Sequence, residues 1–201
     1  MHERNYNQNC ALARASDLLG ERWTLLIVRD LLIAPRRFSE LEKRLQGMGT
    51  NLLAKRLKDM QFAGLISGGE SRTYHLTEMG SALEPMVLQL VRWSLHWVQS
   101  TPTAAGHHFP DWDLLALKSL FVPNLKMRKP LVARFEAGNW IAWIEIGRQQ
   151  YAFGLGEPKV APDVLFPCAI AEIRRPERVL SSMSPFMREK ARRLLSCFPI
   201  A

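Results

Sequence analysis

The sequence predicts an α+β chain in two domains, residues 1–100 and 101–201. Three observations predict it. Between Arg36 and Thr77 the pattern runs helix, turn, helix, short hairpin. The stretch Ser100 to Gly106, STPTAAG, holds small residues and one proline, the composition of a boundary rather than of an element. Beyond it, alternation at period two replaces the helical period. The first domain therefore reads as a winged helix-turn-helix. The second reads as a small α+β domain with an antiparallel sheet.

In the first domain, Cys10 stands at the start of a helix, where the macrodipole lowers a thiol pKa. Arg36 and Arg37 precede the third helix, Phe38 is its first apolar anchor and Ser39 its N-terminal residue. Leu41 and Leu45 supply its buried side, and Lys43 and Arg44 are expected on the surface. Gly49 then breaks the chain, and Thr50 is a good N-cap for the next helix. At about 100° per residue, Leu53, Leu57 and Met60 fall together as a core stripe, with Asn51, Ala54, Lys55 and Lys58 opposite. Arg56 lies at the edge of the stripe, as a partner for Glu40 or Glu42 or as a DNA contact.

Ala54 leaves the polar face flat, and Asn51 sits in the first turn, where an Asn side chain can pair bidentately with adenine. From Arg36 to Lys58 there are seven basic residues against two acidic ones. An exposed basic helix beside a hairpin fits duplex DNA, with the helix in the major groove. The candidate DNA-binding residues are Arg36, Arg37, Lys43, Thr50, Asn51, Ala54, Lys55, Lys58 and Arg72.

The hairpin has Leu65 and Ile66 as a short strand, Gly68 and Gly69 as the turn, and Tyr74 and Leu76 alternating on the return. Thr73 and His75 face outward, and Arg72 is its only basic residue. From Thr77, which can cap it, a helical segment runs to Ser100, with Pro85 kinking it or marking its effective first turn. Its apolar residues leave little polar circumference, so it needs more than one partner. A second subunit is the simplest cover, which makes Leu83, Val87, Leu90, Val91, Trp93 and Trp97 candidate dimerisation residues. The alternative cover is the second half of the same chain.

In the second domain Trp112 to Val122 reads as a helix ended by Pro123. Strands follow at Pro130 to Glu136, Trp140 to Ile146 and Gln150 to Leu155, turned at Gly138 and Asn139 and again at Gly147 to Gln149. Ala161 to Phe166 is a fourth strand, continued by Ala169 to Ile173. Arg188 to Phe198 closes the domain as an amphipathic helix.

The formal net charge of +8 favours a polyanionic partner, yet both halves are basic, 13 against 10 in residues 1–100 and 14 against 9 beyond. No nucleophile elbow, Walker loop or dinucleotide fingerprint occurs, so no enzyme, catalytic residue or cofactor is expected. Cys10, Cys168 and Cys197 make no disulfide framework, and no metal-ligand spacing appears. The adjacent His107 and His108 read as linker polarity. No apolar run reaches the roughly 18 residues of a membrane span, and the polar N-terminus is no signal peptide, so the expected location is cytoplasmic.

Residues from about Cys10 to Trp93 resemble the HxlR family of winged-helix bacterial transcription regulators. The resemblance rests on Cys10 and Ala11; Leu19, Gly20, Arg22, Trp23 and Leu26; Arg37, Phe38, Glu40 and Leu41; Leu53, Arg56, Leu57, Gly64 and Leu65; and Tyr74, Leu76, Thr77, Gly80 and Leu83, in family order. It implies a homodimer on pseudo-palindromic operators, with the long helix pairing with the first helix across the dimer. The family carries basic residues after the Gly-Leu-Ile step and a longer hairpin. Ser67 and Gly68 stand there instead, which shifts the expected binding onto the second helix of the motif.

The second half weakly resembles a sterol-carrier-protein-like domain, in its order of elements, its strand pair around Gly138 and Asn139, and its Pro162-Asp163 step. That implies an apolar pocket for a small apolar ligand, with Phe135, Trp140, Trp143, Phe153 and Phe166 as candidate lining, or else as ordinary core. The expected function is a homodimeric operator-binding regulator modulated by such a ligand. One alternative is a thiol-based redox or electrophile sensor through Cys10, as in some HxlR relatives. Another is a DNA-binding protein whose second domain is only a structural or protein-interaction module.

Overall fold

A computed structural model of the chain describes residues 5–68, 73–98, 107–123, 129–147, 149–167, 176–181 and 183–198. The chain divides into two units, Met1–Val87 and Leu88–Ala201. The division falls earlier than the boundary read from STPTAAG, a stretch outside the described residues.

The first unit holds α1 (Ala11–Leu19), α2 (Thr24–Ile33), β1 (Arg36–Arg37), α3 (Phe38–Arg44), α4 (Thr50–Phe62), β2 (Ile66–Gly68), β3 (Thr73–Leu76) and α5 (Glu78–Ser81). Its core is built around α2, whose Ile27, Val28 and Leu31 are buried with Leu41 and Leu45 of the α3 region and Leu53, Leu57 and Met60 of α4. Each such side chain contributes roughly 1.5–3 kcal/mol by leaving water. The hairpin strands pair antiparallel, Ile66 opposite Leu76, and Arg36 and Arg37 add a third strand, giving the order β1-β3-β2. The third strand was not foreseen, because two arginines carry no strand signal of their own.

Three local expectations are corrected. Helix α3 begins at Phe38 rather than Ser39, because the Glu40 carboxylate accepts the Arg37 N–H at 2.7 Å. The first hairpin strand begins at Ile66 and runs through Gly68, whose φ of 111° and approach to Thr73 exclude a side chain. The segment after Thr77 is two helices, α5 and α6 (Glu84–Trp97), parted where the Leu83 N–H turns back to Gly80 O. Thr77 caps α5, its Oγ1 accepting the Gly80 N–H at 3.1 Å. Pro85 is the second residue of α6, where its missing N–H costs nothing.

The second unit, beyond the remainder of α6, holds α7 (Trp112–Ser119), β4 (Leu131–Ala137), β5 (Trp140–Ile146), β6 (Tyr151–Leu155), β7 (Val164–Phe166), α8 (Pro176–Ser181) and α9 (Pro185–Leu195). The first three strands form the expected antiparallel meander. The fourth runs parallel to β4, giving the order β6-β5-β4-β7 and a mixed sheet. Asp163 sets that pairing: its N–H donates to Val132 O at 2.7 Å, and its carboxylate accepts the Val132 N–H at 3.1 Å. The expected continuation, Ala169 to Ile173, lies outside the described residues.

Helix α7 stops at Ser119 rather than Val122, because the Val122 N–H donates to Cys197 O at 2.7 Å. Helix α9 starts at Pro185, not Arg188, with Ser184 Oγ as its cap, and ends at Leu195; Phe198 packs in the core from beyond it.

Candidate nucleic-acid interface

Helix α4 is fixed on three sides. Its apolar stripe, Leu53, Leu57 and Met60, is buried as the 3.6-residue period requires. Its start is tied to α3, where the Thr50 hydroxyl donates to the Glu42 carboxylate at 2.6 Å. Thr50 is thus the first helical residue and not the N-cap; extended Gly49 takes that position without a side-chain bond. Its end is tied to the hairpin, where Gln61 Nε2 donates to Gly68 O at 2.6 Å. Sequence reasoning missed that tether, since nothing in the local pattern aims Gln61 at the hairpin.

The remaining face is open. Asn51, Ala54, Lys55 and Lys58 are all exposed. Arg56 is not part of that surface. It pairs with Glu21 at 2.7 Å and reaches Asp59 at 3.8 Å, in place of the expected Glu40 or Glu42. Arg37 and Lys43 are exposed, as read. Two other arginines are corrections. Arg44 is buried, its Nε donating to Asp30 Oδ1 at 2.6 Å. Arg36, drawn into β1, is only 9% exposed and leaves the solvent-facing surface. Arg72 lies outside the described residues. On the hairpin, Ser67 Oγ and His75 Nε2 share a hydrogen bond at 2.8 Å across the strand pair.

A helix-turn-helix with a hairpin behind it is what the comparisons with known proteins match. Residues 18–102 fit the family model described as HxlR-like helix-turn-helix. The uncharacterized HTH-type transcriptional regulator YvaP of Bacillus subtilis is 33% identical over 101 residues, 47% of this chain and 94% of YvaP. The chain belongs to the HxlR family. The HTH-type regulator YodB of B. subtilis is 30% identical over 86 residues, 40% of this chain and 77% of YodB. A crystal structure of quinone-bound YodB superposes with a TM-score of 0.40, at 31% identity over 42% of this chain and 96% of that one. This HxlR protein is a transcriptional regulator with a DNA-binding helix-turn-helix, and not an enzyme.

Elsewhere in this HxlR chain the other candidate residues separate. On α6, Leu90, Trp93 and Trp97 are exposed, at 47%, 55% and 68%, and Val91 is half-buried, as is Leu83 just before the helix. Val87 is a correction, because it is buried within its own chain. Cys10 is the exposed N-cap residue of α1, and the backbone N–H groups of Ala13 and Leu12 hold its thiol below the usual range.

The five candidate pocket residues do not line one cavity. Register places Trp140, Phe135, Phe153 and Phe166 on one face of the sheet and Trp143 on the other. Phe135 and Phe166 stack at 4.9 Å in the core, and the Lys118 ammonium lies 4.4 Å over the Phe153 ring. A separate groove of about 340 Å³ is lined by Arg134, Glu136, Leu165, Phe166, Pro167, Met183, Ser184 and Met187. Among the described residues, no group of three or more His, Cys, Asp or Glu could hold a metal, and no helix is long and apolar enough to cross a membrane.

Proposed function

We propose that this regulator binds operator DNA as a homodimer, with α4 of each subunit in a major groove. The observation that carries it is the exposed Asn51, Ala54, Lys55 and Lys58 face on a helix pinned at its start, flank and end. The dimer is supported by α6. At about 100° per residue, Met86, Leu90, Trp93 and Trp97 form one stripe, and all four are exposed.

Replacing Lys55 and Lys58 with Ala should weaken binding to every duplex and flatten the salt dependence by roughly 1–2 units per subunit. Asn51→Ala should relax sequence choice by about 1–3 kcal/mol at one position per half-site. A mobility-shift titration in which the double lysine variant matches wild type removes α4 from the interface.

The second unit is the proposed site of modulation by a small apolar ligand, and the groove flanked by Leu165, Met183 and Met187 is its candidate seat. The exposed, acidified Cys10 thiol favours a second reading, a thiol switch. Cys10→Ser should leave DNA binding and, on the ligand reading, regulation intact. Loss of a diamide response in Cys10→Ser, with the response kept after deletion of residues 101–201, would establish the thiol switch instead.

A further inference from the structure

We infer that Phe62 reads DNA: its ring contacts the C5-methyl group of a thymine in each half-site, at the opposite end of α4 from the base met by Asn51. The inference rests on the operator-binding reading of α4 and extends it to the far end of the helix. Phe62 is 92% exposed, the most open large apolar side chain among the described residues. A single exposed apolar residue is ordinary; its position is what matters here.

At about 100° per residue, Asn51, Lys55, Lys58 and Phe62 fall within an arc of roughly 60°, opposite the buried Leu53, Leu57 and Met60. At about 1.5 Å per residue, Phe62 stands roughly 16 Å along the axis from Asn51, close to five base-pair steps. The last turn of α4 is held. Gln61 is tethered to Gly68 O at 2.6 Å, and Leu65 N–H donates back to Met60 O at 3.0 Å.

Charge decides between occupants. Lys55 and Lys58 flank the ring on its own stripe, whereas the cores of protein–protein interfaces are depleted in lysine. A polyanion satisfies both ammonium groups and offers an apolar methyl in the same groove. The adjacent carboxylate, Asp59, is the i,i+4 neighbour of Lys55 and lies 3.8 Å from Arg56, whose cation offsets its charge.

The test uses the full chain and duplexes it selects from a randomised pool. Binding of wild type, Phe62→Ala and Phe62→Leu is measured on the selected duplex and on versions in which each thymine in turn is replaced by deoxyuridine, which lacks the methyl. Wild type should lose about three- to tenfold at one thymine position per half-site. Phe62→Ala should bind the thymine duplex as weakly as wild type binds the uracil one, and be indifferent to the exchange. Phe62→Leu should fall between. Melting temperatures should be unchanged, because the ring touches little of its own chain.

Wild type indifferent to every exchange, or Phe62→Ala as sensitive as wild type, overturns the inference and leaves α4 as the reader. A Phe62→Ala chain with a smaller mass by light scattering reassigns the ring to a protein contact. Wild type that enriches no duplex defeats the operator-binding reading itself, and the inference with it.

Discussion

Lys43 and Arg44 are neighbours in the chain with opposite fates. Both read as exposed cations, but Lys43 faces solvent while Arg44 turns inward to Asp30, a carboxylate with no exposed side-chain surface that also accepts from Arg29 at 2.9 Å. Helical period located Leu53, Leu57 and Met60 correctly because burial of those side chains is a local pattern. The partner of Arg44 is on another helix, 14 residues away, and no period reports that. Arg44→Ala should cost about 3–5 kcal/mol, since it leaves a buried carboxylate short of a partner. Lys43→Ala should cost under about 0.5 kcal/mol. Urea titrations of the two variants check the contrast.

Asp163 gives the pH-dependent counterpart. Burial pushes its carboxyl upward, but the Val132 N–H and the Lys190 ammonium at 3.1 Å outweigh burial and hold it below the usual range. A depressed folded pKa stabilises above the ordinary carboxylate range and ceases to do so as pH falls through the lower folded value. Wild type should therefore melt higher than Asp163→Asn at neutral pH. The gap should close in acid, as read by thermal melts across pH.

Among the elements, those defined by their own residues were legible and those defined by a distant partner were not. Strand β5, Trp140–Ile146, carries its alternation within itself and stands at the bounds read for it. Strand β7 is short, and its parallel partner follows from the Asp163 bonds to Val132, 31 residues earlier. The start of α6 was legible in Pro85, one of whose two readings was its effective first turn, whereas the separate α5 ahead of it was not, because Gly80 is tolerated in a helix start. Gly80 is needed for a different reason: a Cβ there would overlap Leu65 O and a Leu76 methyl. Gly80→Ala should destabilise by roughly 1–3 kcal/mol, and Thr77→Val by about 1 kcal/mol through the lost cap. Chemical denaturation of both variants tests this. A Thr77→Val chain as stable as wild type would mean the cap is dispensable.

For the whole molecule, overall charge was a poor guide, since both halves are basic and only one carries the helix-turn-helix. The family match ends at residue 102, so the second unit is described by its own geometry: a mixed sheet, α7 and α9, and a groove beside Met183 and Met187. That groove was missed from the sequence because aromatic residues drew attention to the core, while methionines and a strand edge form the opening. If the unit takes up a small apolar ligand there, Met187→Trp should fill the groove and abolish a ligand-induced shift in melting temperature without lowering the unliganded value by more than a few degrees. Deletion of residues 101–201, which keeps all of α6, should remove ligand response before it removes DNA affinity.

Hydroxyl-radical footprinting on a selected operator tests α4, α6 and their fit to duplex DNA at once. A homodimer with α4 of each chain in a major groove gives two symmetric protected segments about 34–36 Å apart, one helical turn, with two chains bound per duplex. A single protected segment with one chain bound, or protection unchanged when Lys55 and Lys58 are both replaced by Ala, would contradict it.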